Sequence, residues 1–307
     1  MPSSNHRRVH PRNLHQGRYD FVALCQTFPD LEIFLQPNPA GDQTIDFSDP
    51  SAVLCLNRAL LAHYYGVAHW MIPAGYLCPP IPGRANYIHY LADLLGNEDN
   101  DSSVRVLDIG TGANGIYPII GSQSYGWTFV ATEIDPNAIK TVRAIVELNP
   151  CLTKHVRVVR QRDSDAIFRG IIRPSDHFDL TMCNPPFHES AKAAQAVNQR
   201  KVRNLGGRSA AKGNATLNFG GQSNELWCRG GEVAFISQMI EESVEFADQV
   251  NWFTSLVSQN EHLRVLKSAL NRFDAKQVEV INMAQGNKVS RLLAWSFGAQ
   301  GRIEHTS

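Results

Sequence analysis

The chain has 307 residues, 43% apolar and 19% charged, with 29 Lys and Arg balancing 29 Asp and Glu. That length holds one large domain or a domain plus an accessory module, and the composition supplies a sizeable core. No apolar run reaches the roughly 18–20 residues that cross a bilayer, so no membrane partner is expected.

The polar, basic start MPSSNHRRVHPRN lacks the apolar stretch of a secretory signal. Six cysteines, at 25, 55, 78, 151, 183 and 228, include no C-x-x-C pair. Their scatter argues against a zinc site or a disulfide framework and suits a reducing cytoplasm, so no metal is expected.

Residues 1–80 hold much of the proline and little strand pattern, with a helix expected over 50–66. They form an N-terminal accessory module joined through CPPIPGRANY (78–87) to a second domain, 81–307. Arg7, Arg8, Arg12 and Arg18 face only Asp20 in the first twenty residues. From about 104 onward, strands and helices alternate. VRVLDIG (104–110), WTFVATEID (127–135), VRVVRQ (156–161) and FDLTMC (178–183) read as strands. IYPIIGSQ and PNAIKTVRAIVELN read as helices, and 232–250 is amphipathic at helical spacing. WFTSLVS, a helix near 261–272, QVEVINM and RLLAWSF complete the series.

This pattern implies an α/β fold with a doubly wound, mostly parallel sheet. The last two strands, joined by only AQGNKVS, must pair antiparallel as a hairpin. Between 188 and 231 lies a long insertion rich in Gly, Asn, Lys and Arg. Its first part (188–212) carries Lys192, Arg200, Lys201, Arg203, Arg208 and Lys212 against Glu189, 6 − 1 = +5. Two basic segments on a neutral chain suit a nucleic-acid partner, although solvated tails and loops carry such charge too.

The first strand runs into Asp108-Ile-Gly110-Thr-Gly112-Ala-Asn114-Gly115, a G-x-G-x-x-G turn that lets backbone N–H groups approach a ligand. Glu133 ends the next strand, where an acid binds ribose hydroxyls. These two features fit nicotinamide, flavin and other nucleoside cofactors alike. The fourth strand ends in Asn184-Pro185-Pro186-Phe187, and prolines stop a ladder. The Asn184 amide oxygen and the Pro185 carbonyl can both accept from an exocyclic –NH2, holding its nitrogen toward a sulfonium methyl. Phe187 can stack on a base. Such an elbow suits amino-group methyl transfer and has no use in a dehydrogenase.

DIGTGANGIYP, ATEID and CNPPF in order resemble the class I S-adenosylmethionine-dependent methyltransferases of the N6-adenine type. HPRNLHQGRYDF, PGRANYIHYLADLLG, LNFGGQSNELWCRGGEVAFI and RLLAWSF extend the resemblance over nearly the whole chain, to the bacterial RlmF (YbiN) family. That family methylates one adenine of large-subunit (23S) ribosomal RNA, and a eukaryotic cousin is methyltransferase-like protein sixteen.

The resemblance implies a class I Rossmann-like fold, S-adenosyl-L-methionine as cofactor and 23S rRNA as partner. By position, Arg84 would bind the cofactor's carboxylate, Gly110 and Asn114 its methionine end, and Gly112 would be a further cofactor-binding residue. Glu133 would take the ribose, Ser164 or Asp165 the adenine, and Asp108 would orient the glycine loop. Asn184, Pro185 and Phe187 are the catalytic set. Arg7, Arg8, Arg12, Arg18, Lys192, Arg200, Lys201 and Arg203 are expected to clamp RNA phosphates, and the protein is expected to be a monomer. The rivals are a glutamine N5-methyltransferase acting on a protein, DNA adenine methylation, an RNA-binding protein without chemistry and a nicotinamide oxidoreductase.

Overall fold

Local sequence sets most of the element starts. In the computed structural model, which describes residues 9–96, 103–186, 228–285 and 288–298, aspartates open three of the helices. Asp20 accepts the Ala23 N–H ahead of α1 (Phe21–Thr27). Asp49 accepts from Ser51 ahead of α2 (Pro50–Tyr65), which Pro50 begins and left-handed Gly66 ends. Between them lie a 3-10 turn (Pro29–Phe34) and a small hairpin, β1 (Leu35–Pro37) with β2 (Gln43–Ile45). The helix α3 (Ile81–Leu94) leads into the sheet domain.

The sheet then alternates with helices: β3 (Arg105–Ile109), α4 (Ile116–Tyr125), β4 (Thr128–Glu133), α5 (Pro136–Leu148), a single turn α6 (Pro150–Thr153) and β5 (Val156–Arg160). It continues with β6 (Phe178–Cys183), α7 (Gly231–Ser243), β7 (Val250–Val257), α8 (His262–Arg272), β8 (Gln277–Gln285) and β9 (Lys288–Ser296). The seven strands lie in the order β5-β4-β3-β6-β7-β9-β8. The first five run parallel to one another, and β9 runs antiparallel to both β7 and β8. The mostly parallel sheet with its terminal hairpin is the one expected from the sequence.

Three details differ or go further. The helix expected over 232–250 ends at Ser243, followed by a 3-10 turn (Val244–Phe246). The buried Ser243 hydroxyl takes the Trp295 indole N–H at 3.0 Å, and Val250 must already pair with Phe178. The chain therefore has to turn within a few residues, whatever the helical periodicity favours. Between β5 and β6, residues 161–177 form turns without an α-helix. And the hairpin strands reach further into AQGNKVS than the sequence suggested, to Gln285 and from Lys288.

The core divides at the sheet. On one face Leu24, Leu31, Leu60 and Trp70 of the N-terminal segment share a buried cluster with Ile88, Val106, Ile120 and Leu292. The N-terminal segment is thus a layer packed on the sheet, sharing a core with it. On the other face Phe168, Phe178, Ile236, Phe253, Leu266 and Trp295 pack together. Each large apolar side chain so buried contributes about 1.5–3 kcal/mol.

Candidate active site

The carboxyl ends of β3, β4 and β6 surround a cavity of about 350 Å³. It lies where strand order reverses about β3, with β4 on one side and β6 on the other, the usual ligand crevice of a doubly wound sheet.

One lip is the glycine loop. Gly110 and Gly112 sit at φ 71° and 64°, a region other residues enter only with strain. A Cβ on Gly115 would stand 3.1 Å from Val142 Cγ1, so this glycine lets α4 close onto α5. The loop is tied by hydrogen bonds: Thr111 N–H donates to the Thr132 carbonyl and Gly112 N–H to Glu133 Oε2, both at 2.9 Å. Glu133 Oε1 accepts from Ile134 and Asp135 N–H at 2.7 and 3.1 Å. Burial raises the Glu133 carboxyl pKa, and the three amides oppose the rise. Asn114 Oδ1 accepts the Ile116 N–H at 3.1 Å, starting α4, and its carbonyl takes the Trp70 indole at 2.8 Å.

Beside these satisfied groups stand polar atoms with no hydrogen-bond partner among the described residues. They are Arg84 Nε, Thr111 Oγ1, Asn184 Oδ1 and both carboxylate oxygens of Asp108. Arg84, Thr111 and Asn184 line the cavity. Leaving such atoms buried and unpaired costs about 1–3 kcal/mol each, which a polar ligand in the cavity would relieve. Arg84 also donates through Nη1 to the Tyr117 hydroxyl at 2.6 Å, which fixes the guanidinium on the wall. Asp108 lies under the loop. Burial lifts its pKa to about 7; the nearby Thr111 hydroxyl and Arg84 charge oppose this, and Glu133 adds to it.

The opposite lip is the end of β6. Asn184 is half-buried and Pro185 buried. The fully buried Tyr87 of α3 supports this end: its hydroxyl accepts the Cys183 N–H at 3.3 Å and lies 2.8 Å from Thr254 Oγ1. Thr254 in turn donates to the Thr181 carbonyl at 2.8 Å. Two hydroxyls from distant elements thereby brace the peptide just before Asn184.

The rim carries Ser164, Asp165, Ala166 and Ile167. Its helix-free loop is held by the buried Glu242 of α7, whose carboxylate accepts from the backbone N–H of Ile167, Phe168 and Arg169. Gln161 Nε2 donates to the Arg169 carbonyl at 3.0 Å, closing the same turn.

The structure therefore brings Arg84, Gly110, Gly112, Asn114, Glu133, Ser164 and Asn184 to one cavity, with Asp108 beneath it and Pro185 behind. Two expected roles look different here. The bonds that hold the glycine loop come from the Thr132 carbonyl and the Glu133 carboxylate, while the Asp108 carboxylate has no hydrogen-bond partner among the described residues. The Asn114 side chain is occupied in starting α4.

Arg12 is a strut: it pairs with Asp93, donates to the His89 carbonyl and lies over the Tyr125 ring at 5.6 Å. Arg18 is exposed and paired with Asp42. Arg7, Arg8, Phe187, Lys192, Arg200, Lys201 and Arg203 lie outside the described residues. Sequence reasoning missed Tyr87, Thr111, Tyr117, Gln161 and Glu242. Only Tyr87 gave a local signal, standing three residues after Arg84 on the same helix flank.

The sheet order and this cavity define a class I S-adenosylmethionine-dependent methyltransferase fold. Within that class, the chain belongs to a family of RNA methyltransferases, which matches it over residues 3–299. It is 59% identical over 296 residues to the ribosomal RNA large subunit methyltransferase F of Desulfotalea psychrophila, covering 95% of this chain and 96% of that protein. The Klebsiella pneumoniae protein of the same name is 56% identical over 291 residues, 94% of each chain.

Among solved structures, the human METTL16 catalytic domain in complex with MAT2A 3′UTR hairpin 1 superposes with a TM-score of 0.81. It is 31% identical and covers 95% of this chain and 96% of that one. The N-terminal domain of human METTL16 in complex with SAH gives 0.74 at 29% identity, over 94% and 99% of the two chains.

Proposed function

We propose that this protein methylates the exocyclic N6 of one adenine in 23S ribosomal RNA, with S-adenosylmethionine as cofactor. The observation that carries this reading is the buried Asn184 Oδ1 on the cavity wall, without a hydrogen-bond partner among the described residues and set between a braced strand end and two prolines. The names of the relatives and the RNA and SAH complexes of METTL16 support it.

The cofactor supplies an electrophilic methyl group on a sulfonium centre. Everything else comes from the chain. Arg84 offers its free Nε to a carboxylate, a charge-assisted contact. Gly110 and Gly112 admit the ligand close to backbone, Glu133 Oε2 has one acceptor site left for a ribose hydroxyl, and Ser164 lies on the rim toward the adenine. Asn184 Oδ1 and the Pro185 carbonyl accept the two N–H bonds of the target amino group, which aims its lone pair across the cavity. As the nitrogen gains positive charge, these fixed dipoles favour the transition state over the ground state. Phe187 stacks on the unstacked base, worth about 1–3 kcal/mol.

Arg7, Arg8, Arg18 and the basic insertion take phosphates, while Arg12 contributes by holding the N-terminal segment to α3. Because the target base must leave its stack, a single-stranded or bulged site is preferred. The protein acts as a monomer, without metal, in the cytoplasm.

The test is label transfer from S-adenosylmethionine to unmodified 23S rRNA, with DNA and a release factor as competing acceptors. Label is expected in N6-methyladenosine of the RNA, and Asn184→Ala should lose it by about a hundredfold or more. Label on the release factor or on DNA would overturn the substrate while keeping the elbow chemistry.

A further inference from the structure

Away from the cavity, a run of exposed cations lies on the edge of the sheet at β5. Among the described residues β5 is an edge strand, hydrogen-bonded to β4 alone. From position 140 to 162 the chain carries Lys140, Arg143, Lys154, Arg157, Arg160 and Arg162 against Glu147 alone, 6 − 1 = +5 on a chain of zero net charge. All six side chains are exposed. None forms an ion pair among the described residues, whereas Arg12, Arg18, Arg105, Arg169 and Lys276 each hold a carboxylate.

Arg143, Lys154, Arg157 and Arg160 gather along one sheet edge, with Arg157 and Arg160, three apart on β5, leaving it on opposite faces. Arg143 on α5 donates to the Val158 carbonyl of β5 at 3.2 Å, so the helix cations lie along the strand. At one end Arg160 sits opposite Glu133 in the strand register and precedes Gln161, and both Glu133 and Gln161 line the large cavity. At the other, Lys154 and Arg157 line a second cavity of about 170 Å³, with Arg105, Thr128 and His155, at the amino ends of the strands. Cations on an edge strand also prevent edge-to-edge pairing. That accounts for Arg157 and Arg160. It does not account for Lys140 and Arg143 on the helix, or for Lys154 and Arg162 beyond the strand ends.

We propose that the β5 edge with α5 is a phosphodiester-binding track for RNA flanking the target adenine, ending in the cavity lined by Lys154 and Arg157. The proposal rests on the reading of the protein as an RNA methyltransferase. Its geometry fits that chemistry: β5 is about 16 Å long, and three strand spacings, about 14 Å, separate Arg160 from the Asn184 end of the sheet. A strand with its adenine at Asn184 can therefore cross the rim and follow the edge. Contacts of this kind go to phosphates, so they add affinity without sequence preference.

The test compares the full-length protein with Lys154→Ala/Arg157→Ala/Arg160→Ala and with a control of equal charge change on α8, Arg264→Ala/Lys267→Ala/Arg272→Ala. Steady-state methylation of 23S rRNA is measured over a salt series, together with S-adenosylmethionine affinity. The edge variant should raise KM for RNA about tenfold or more and leave kcat and cofactor affinity unchanged. Its log–log salt slope should shrink by about 2, close to 0.7 for each of three single-strand phosphate contacts. The control should match wild type. A wild-type KM and slope in the edge variant would overturn the track, as would an equal loss in the control. A wild-type protein that methylates no RNA would instead remove the function reading on which the track rests.

Discussion

The two lips of the cavity are held in different ways. On the β3–β4 lip a carboxylate does the holding, with Glu133 gathering three backbone N–H groups. On the β6–β7 lip neutral hydroxyls do it, through Tyr87 and Thr254. Each lip also carries side-chain atoms with no hydrogen-bond partner among the described residues: the Asp108 carboxylate and Thr111 Oγ1 on the first, Asn184 Oδ1 on the second. The contrast separates scaffold from ligand-facing chemistry. Groups already satisfied fix the walls, and substituting them should harm the fold or the placement of its neighbours. Unsatisfied groups weaken the empty protein, and substituting them should help it while harming ligand binding.

The largest expected effect is at Asp108. Its folded pKa of about 7 lies above the 3.8 of an ordinary aspartate, so between those values the native state binds the extra proton. Stability is thus fully present below about pH 4 and falls as pH rises toward 7, by roughly 4 kcal/mol at most from this group. Asp108→Asn should flatten that part of a denaturation-against-pH curve and raise stability at neutral pH. An unchanged curve would mean the carboxylate is satisfied in solution.

Next is Glu133→Gln, which turns an amide –NH2 toward donors that now share a carboxylate. A loss of about 2–3 kcal/mol in cofactor binding, roughly 30- to 160-fold in Kd by calorimetry, is expected from one broken charged bond. Tyr87→Phe removes only a hydroxyl. It should lower kcat about tenfold, equivalent to about 1.4 kcal/mol, while cofactor Kd stays at the wild-type value. A change in Kd with normal kcat would put Tyr87 with the other lip.

The smallest effect is at Thr111. Thr111→Val should leave the melting temperature of the free protein equal or slightly higher, since an unpaired hydroxyl is removed, and weaken cofactor binding about threefold. A clear fall in stability would show that this hydroxyl is part of the scaffold, and would blur the contrast between the lips.

The parts legible beforehand were those in which neighbouring residues act together. Strand β3 running into Asp108–Gly115, Glu133 at the end of β4, and the prolines closing β6 are local patterns with local causes. The parts that stayed hidden depend on meetings across the chain. Tyr87 reaches Cys183 and Thr254, and Glu242 reaches Ile167 to Arg169, over separations no periodicity reports. Charge was the least legible quantity. Arg12 and Arg157 are both single arginines in the sequence, yet one is tied to Asp93 and the other has no ion pair among the described residues.

The sequence by itself determined the alternating α/β order, the strand-ending turns and the chemistry offered at Asn184, because backbone dihedrals and side-chain pattern act over a few residues. Only the tertiary structure decided which polar groups are satisfied and which face the cavity. A hydrogen-bond donor and its acceptor are fixed by where distant strands and helices come to lie, and that is set by the packing of the two core faces.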